Sequence, residues 1–330
     1  MNRTRSKPRV DPRDVRVFSG TSHPALAADI AAYLGVPLDP TEIGHFSNDN
    51  LHIQLGASCR SRSVFVVQSL TPPASDHVLE LLMMLDAARG AAAREVHAII
   101  PYFSFARSDK KDAPRISITA RLIADLLETA GATHVMTMNL HSPQVHGFFG
   151  LPIDPLTARP LFVKHLRRRR LTDTVVVAPD SGIAKSAARF AAQLGLPAVS
   201  AEKMRISDTR VEIDDLVGKQ VRGFRRAIVY DDEIATGTTL VEVSRLLLRH
   251  GIQRLSALCT HGVFSGDAIH RLSALPEIDE IVTTDTVPIP PEKRLPHMRV
   301  LSVAPVFGEA IRRNYQKESI GDLFAFGDGN

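Results

Sequence analysis

Arg226–Leu240 reads RAIVYDDEIATGTTL, and the architecture of the whole chain can be worked out from this stretch. An apolar run ends at Tyr230. Two carboxylates follow at Asp231 and Asp232, and the small residues Ala235-Thr236-Gly237-Thr238-Thr239 then lead into an amphipathic helix. Ligands of open α/β sheets gather at the C-terminal ends of strands, and this is the residue order such a corner needs. A small-residue loop entering a helix offers backbone N–H groups and the positive end of the helix dipole to an anion. Gly237 allows close backbone approach, and Thr236, Thr238 and Thr239 add hydroxyl donors. Asp231 and Asp232 would repel a phosphate but can accept hydrogen bonds from the vicinal hydroxyls of a sugar. The blander alternative is an acidic turn before an N-capped helix.

Outward from this corner, strand and helix patterns alternate. Strands are expected at Val15–Phe18, Val64–Gln68, Val96–Ile100, Val135–Asn139, Thr174–Ala178 and Ala227–Tyr230, with late strands at Val282–Thr284 and Val300–Val303. Helices are expected at Pro24–Leu34, stopped by Gly35, at His77–Arg89 with Leu79, Leu82, Met83 and Asp86 in periodic register, and at Ile118–Ala130. Further helices are expected at Ile183–Leu194, Thr239–His250 and Ala304–Tyr315. Strands separated by helices imply parallel βαβ units, and two such sets meet around the proline-rich stretch at Pro152, Pro155 and Pro160. The expected fold is α/β with two domains, each a mainly parallel sheet flanked by helices. Residues 1–14 are expected to form a disordered tail rather than a signal peptide, because they lack an apolar core.

Composition narrows the function classes. Forty basic residues nearly balance 36 acidic ones, so the net charge of +4 suits anionic small ligands and does not argue for nucleic acid. Arg167–Arg170 is then a solvated helix end. The two cysteines, Cys59 and Cys259, share no metal or redox spacing, which points to a reducing cytoplasm. No apolar run reaches transmembrane length, so no membrane role is expected. Arg107, Lys110, Lys111 and Arg115 cluster after the Val96–Ile100 strand, where positive charge suits a polyphosphate. Asp180, in Pro-Asp-Ser-Gly after a strand, is placed as a carboxylate ligand for a hard cation.

The Arg226–Leu240 stretch resembles the ribose 5-phosphate signature shared by type I phosphoribosyltransferases and ribose-phosphate diphosphokinases. Over Val17–Phe324 the chain resembles the diphosphokinases. It carries VFSG at Val17–Gly20, IIPYFSFARSDKKD at Ile99–Asp112 and NLHSPQVHGFF at Asn139–Phe149. APDSG stands at Ala178–Gly182, THGVFSG at Thr260–Gly266, TTDTVPI at Thr283–Ile289 and SVAPVFGEAIRR at Ser302–Arg313. The resemblance implies two domains of type I phosphoribosyltransferase-like fold. The ATP side would span 15–157 and the ribose 5-phosphate side 158–303, with a helix and tail at 304–330 packing back on the N-terminal domain.

It also implies substrates and roles. ATP would meet Phe46, Asn48, Asn50, Arg107, Ser108 and Asp112. Ribose 5-phosphate would meet Asp231, Asp232, Thr236, Gly237, Thr238 and Thr239. Mg²⁺ would meet His141 and Asp180, and Lys203 and Arg205 would form a catalytic pair on a loop that closes over ATP. The family assembles as homo-oligomers, dimers built into hexamers or tetramers, with nucleotide sites shared between subunits. Departures lie mostly on the nucleotide side. The usual Phe-Ser-Asp-Gly-Glu is Phe46-Ser47-Asn48-Asp49-Asn50, Arg-Gln-Asp is Arg107-Ser108-Asp109, and Asp-Leu-His is Asn139-Leu140-His141. Ile183 replaces the second glycine of Pro-Asp-x-Gly-Gly. Two other readings stay open: a catalytically weak regulatory paralogue, and a salvage phosphoribosyltransferase.

Overall fold

The structure is a computed structural model in which the described residues are 9–201, 203–207, 210–213 and 216–324; side chains of 203–216 lie outside the description. The described residues form two compact units. One holds the chain up to Thr157 with Thr286–Pro288 and the residues from Ser302 on, and the other holds Ala158–Asp285 with Ile289–Leu301.

The first unit contains β1 (Val15–Ser19), α1 (Pro24–Leu34), β2 (Thr41–His45), β3 (Leu51–Leu55), β4 (Ser63–Val67), α2 (Ala74–Gly90), β5 (Glu95–Ile100), α3 (Thr119–Ala130), β6 (His134–Met138) and β7 (Ile153–Leu156). Its sheet runs β1-β4-β5-β6-β7, parallel throughout, and β2 and β3 form a separate antiparallel hairpin. β4 is buried along its whole length, as a strand covered on both faces should be. Gly35 and Gly131 end α1 and α3 in the left-handed conformation, which glycine adopts without the clash of a Cβ.

The second unit contains α4 (Arg159–Leu166), β8 (Thr174–Ala178), α5 (Ala184–Leu194), β9 (Ala198–Ser200), β10 (Lys203–Ser207), β11 (Arg210–Ile213), α6 (Leu216–Gln220), β12 (Arg226–Ile234), α7 (Thr238–Arg249), β13 (Arg254–Gly262), α8 (Ala268–Ser273), β14 (Ile278–Thr284) and β15 (Met298–Leu301). The sheet order is β15-β14-β13-β12-β8-β9, again all parallel, with β10 and β11 as an antiparallel hairpin. The chain lays β9 on one side of β8 and β12 on the other, so the order reverses between β8 and β12. Such a switch point opens a crevice at the C-terminal strand ends. The last helix, α9 (Ala304–Gln316), belongs to the first unit. Gly308 lies against the Tyr33 ring of α1, where a Cβ would collide, and the Tyr33 hydroxyl donates to Glu309 Oε2 at 3.0 Å.

The α/β class and the parallel sheets agree with the sequence reading. Several details differ. Arg9–Asp14, expected within a disordered tail, are tied down: Arg9 N donates to Leu34 O at 2.8 Å, Val10 is buried, and Arg94 pairs with Asp14. Thr286–Pro288 and Ser302–Val303, expected in the second domain, belong to the first unit; Ser69 Oγ donates to Thr286 O at 2.6 Å. The expected register of α2 picked the wrong face. Val78, Leu81, Met84, Leu85 and Ala88 are buried, whereas Leu79 is 50% exposed. The strand expected to end at Tyr230 continues to Ile234, because Asp231 and Glu233 still pair with Cys259 and His261 of β13.

Candidate active site

The Arg226–Leu240 corner stands on one flank of the switch point. β12 loses β8 as a partner after Val229 and keeps only β13, so its last five residues rise beyond the β8 edge. The end of β13 holds the loop from below: Phe264 N donates to Ile234 O at 3.1 Å and Ser265 N to Ala235 O at 2.9 Å. Gly237 has φ 74, the left-handed region that disfavours a Cβ. It is the N-cap of α7, and no side chain caps the helix start. The first-turn N–H groups have no acceptor within the helix, so the corner has the anion-binding geometry of a helix N-terminus. Thr236 Oγ1 and Thr238 Oγ1 lie 3.2 Å apart at its rim.

Two aspartates precede this loop in β12, and a third stands after β8. Asp232 is buried, and its N–H donates to Asp231 Oδ1 at 2.9 Å. Burial pushes the Asp231 carboxyl well above the usual carboxylate range, and the charges of Asp232 and Asp180 push it the same way. Asp180 follows β8 on the opposite flank of the switch point, and its Oδ1 accepts from Gly182 N at 2.9 Å and Ile183 N at 3.2 Å. The structure thus brings Asp180, Asp231 and Asp232 into electrostatic contact. Mutually repelling carboxylates of this kind favour hydroxyl donors as partners.

Lys203 and Arg205 fall in β10, where Lys203 pairs with Ile213 and Arg205 with Val211. The resemblance implied a loop here, whereas the backbone forms a two-stranded hairpin; both side chains lie outside the described residues.

The nucleotide-side residues belong to the first unit. Phe46, Asn48 and Asn50 share the tight turn between β2 and β3, closed by Phe46 N to Asn50 O and Asp49 N to Phe46 O, each at 2.9 Å. Asn48 Oδ1 accepts from Asn50 N at 3.3 Å, and the Phe46 ring is 58% exposed beside His52. Arg107 and Asp112 are exposed, Arg107 closing a short 3₁₀ turn after β5. Ser108 serves the start of α3: Ala120 N donates to its carbonyl at 3.1 Å, and its Oγ lies 3.3 Å from Thr119 Oγ1. His141 is exposed just beyond β6 and Asn139, whose φ of 41 suits asparagine.

Two groups escaped the sequence reading. Arg271 of α8 donates to Thr236 O at 3.0 Å and Thr238 Oγ1 at 3.2 Å. It lies just past THGVFSG in a stretch with no motif, so only the fold could show it. In the first unit, Glu80 is buried and accepts from Thr21 N at 3.0 Å and Gln68 Nε2 at 2.6 Å. A helical glutamate beside leucines gives no sequence signal of that role.

The fold and this corner define an α/β protein with an uncapped helix N-terminus of anion-binding geometry at the switch point of a parallel sheet. Known proteins narrow the class. Residues 15–131 match the N-terminal domain of ribose phosphate pyrophosphokinase, and residues 214–325 match the phosphoribosyl synthetase-associated domain. A relative from Streptomyces coelicolor is 50% identical over 312 residues, 94% of this chain and 98% of that one. The ribose-phosphate pyrophosphokinase of Caldanaerobacter subterraneus is 43% identical over 311 residues, again with 94% and 98% covered. The crystal structure of phosphoribosylpyrophosphate synthetase from Mycobacterium smegmatis superposes with a TM-score of 0.85 at 34% identity, covering 92% of this chain and 99% of that one. The chain belongs to the ribose-phosphate pyrophosphokinase family.

Proposed function

We infer that the chain transfers the diphosphoryl group of MgATP to the anomeric hydroxyl of ribose 5-phosphate, giving 5-phosphoribosyl 1-diphosphate and AMP. The observation that carries this reading is the uncapped α7 corner with its carboxylates at the β8/β12 switch point, in a chain of this family. The N–H groups and hydroxyls of Thr236–Thr239 hold the 5-phosphate, and Asp231 and Asp232 accept from the ring hydroxyls. Arg107, Phe46, Asn48, Asn50, Ser108 and Asp112 serve the nucleotide. The anomeric hydroxyl gives up its proton to solvent as its oxygen forms a bond to the β-phosphorus, the bond from that phosphorus to the α-phosphate oxygen breaks, and AMP leaves. Lys203 and Arg205 neutralise charge on the transferred group, so catalysis is positioning plus electrostatics.

His141 and Asp180 are the residues assigned to Mg²⁺. Among the described residues, no three His, Cys, Asp or Glu side chains close on a ready-made ion site. A hard cation of this kind keeps several waters and is bound through one or two carboxylates plus substrate phosphates. When bound, it would neutralise phosphate charge during transfer.

Cys59 and Cys259 are buried free thiols, which supports a reducing cytoplasm. Among the described residues no helix is long and apolar enough to cross a membrane. Assembly into homo-oligomers is proposed from membership of the family.

The test is AMP release in a coupled assay, with and without ribose 5-phosphate. Release that depends on the sugar and matches 5-phosphoribosyl 1-diphosphate formed supports the reading. Nucleotide binding without turnover would indicate a regulatory paralogue. Nucleotide formed from 5-phosphoribosyl 1-diphosphate and free bases would indicate a salvage transferase.

A further inference from the structure

The phosphosugar loop has a support that lies outside its own sequence. Ala268 and Leu272 are fully buried and fasten α8 into the core of the second unit. A Cβ on Gly237 would stand 3.6 Å from the Leu272 side chain and 3.7 Å from Ala268 O, so α8 packs under the left-handed residue of the loop. From that platform one guanidinium nitrogen of Arg271, Nη1, donates to both Thr236 O and Thr238 Oγ1.

We infer that Arg271 is a positioning residue for ribose 5-phosphate, acting through the loop; this rests on the assignment of that loop to the sugar phosphate. A trans peptide is planar, with its C=O and the following N–H pointing in opposite directions. Drawing Thr236 O toward Arg271 therefore turns the Gly237 N–H away from Arg271. Without that bond the 236–237 peptide could turn over, because Gly237 has no Cβ to resist the change in φ and ψ. The second bond acts on Thr238. Its Oγ1 accepts from Arg271, so its own proton must be donated elsewhere, to Thr236 Oγ1 at 3.2 Å or to a bound anion. The guanidinium also places a full positive charge behind a loop that would receive a dianion, and it opposes the repulsion from Asp231 and Asp232.

The experiment is calorimetry of ribose 5-phosphate binding, with steady-state kinetics, for wild type and for Arg271→Ala, Arg271→Gln and Arg271→Lys. Arg271→Ala is expected to weaken ribose 5-phosphate about tenfold or more, the scale of a lost charge-assisted hydrogen bond. KM for the sugar should rise while KM for ATP stays within about twofold, because the change is confined to ground-state sugar binding. Arg271→Lys, whose ammonium can still donate to both oxygens, should recover most of the loss. A merely structural role would lower Tm and weaken both substrates together, with no recovery by lysine, and that result would overturn the inference. Arg271→Gln is shorter and loses the positive charge and the fork that serves both oxygens, and it stands in where the alanine variant does not fold; sugar affinity within about twofold of wild type in either would also overturn it. If wild type itself fails to bind ribose 5-phosphate, the loop assignment falls and this inference with it. If wild type binds and the variants match it, only the role of Arg271 falls.

Discussion

The two parallel sheets of this chain finish their strand ends in opposite ways. In the first unit the strands follow one another in a single direction, β1-β4-β5-β6-β7, and no switch point opens between neighbours. Side chains close the ends of β1 and β4 instead. Gln68 Oε1 accepts from Ser22 Oγ at 2.7 Å, Gln68 Nε2 donates to Glu80, and Glu80 accepts from Thr21. Gly20 lies so close to Gln68 that a Cβ there would collide with it. In the second unit the order reverses between β8 and β12, and at that place the backbone itself shapes the corner: a left-handed glycine, an uncapped helix start and hydroxyls at the rim. Away from the plugged strand ends the first unit also carries surface turns such as Phe46–Asn50, where a side chain can change with little effect on the fold. Where the strand ends are open, ligand geometry and fold geometry depend on the same residues. The departures from the family pattern divide mainly along this line, with Asn48, Asn50 and Ser108 on the first unit and the Thr236–Thr239 loop intact.

The largest expected effect tests whether the second unit also supplies transition-state stabilisation. Lys203→Ala and Arg205→Ala, both on β10, should each lower kcat by about 10²-fold or more, because interactions made mainly with the transition state appear in kcat. Sugar and ATP affinity measured by calorimetry should change little. Wild-type kcat with a raised KM in both variants would make the pair a binding feature and weaken the contrast between the units.

A smaller effect is expected at the open corner. Asp231→Ala or Thr239→Ala should weaken ribose 5-phosphate by about 1.5–3 kcal/mol, the range for a hydrogen bond to a charged group. ATP affinity should be spared. Unchanged sugar affinity in both variants would mean that the corner is not the sugar site and that the open strand ends serve another ligand.

How much of this was legible in the sequence follows the same division. The corner was readable because the order Asp231-Asp232, small loop, helix is demanding and local. β13 was missed, although it lies between β12 and β14, because Ser256, Cys259, Thr260 and His261 break its apolar run. In the structure that polarity is absorbed inside the sheet: Thr284 Oγ1 donates to Thr260 O at 2.7 Å, and Cys259 Sγ lies 3.4 Å from Thr283 Oγ1. The β2–β3 hairpin was missed because its strands are only partly buried and carry a weak apolar pattern. On α2, apolar residues occur on both faces, so periodicity alone could not tell Leu79 and Met83 from Val78 and Leu81. Ser108 was placed with the nucleotide by motif position alone, and the local pattern gave no sign that its hydroxyl and carbonyl also support the start of α3.

The smallest expected effect lies on the surface turn of the first unit. By the resemblance, Asn48 and Asn50 replace acidic residues that would stand near the base. An amide both donates and accepts hydrogen bonds, whereas a carboxylate only accepts. Asn48 Oδ1 is already engaged by Asn50 N, so it is partly committed to holding the turn. The Asn50 side chain is exposed, and a change there leaves the turn's backbone bonds in place. A turn that offers a mixed pattern should separate ATP from GTP or CTP less sharply, since each lost specific polar contact removes about 1 kcal/mol or more. Wild type is therefore expected to prefer ATP only modestly, and Asn50→Glu to sharpen that preference by about fivefold to tenfold. The measurement is kcat/KM for the three triphosphates in both proteins, with Tm as a control that should not move. A strong ATP preference already present in wild type, and unaltered by the substitution, would mean that the base is held by other groups. The surface turn would then be free to vary because it does not read the base at all.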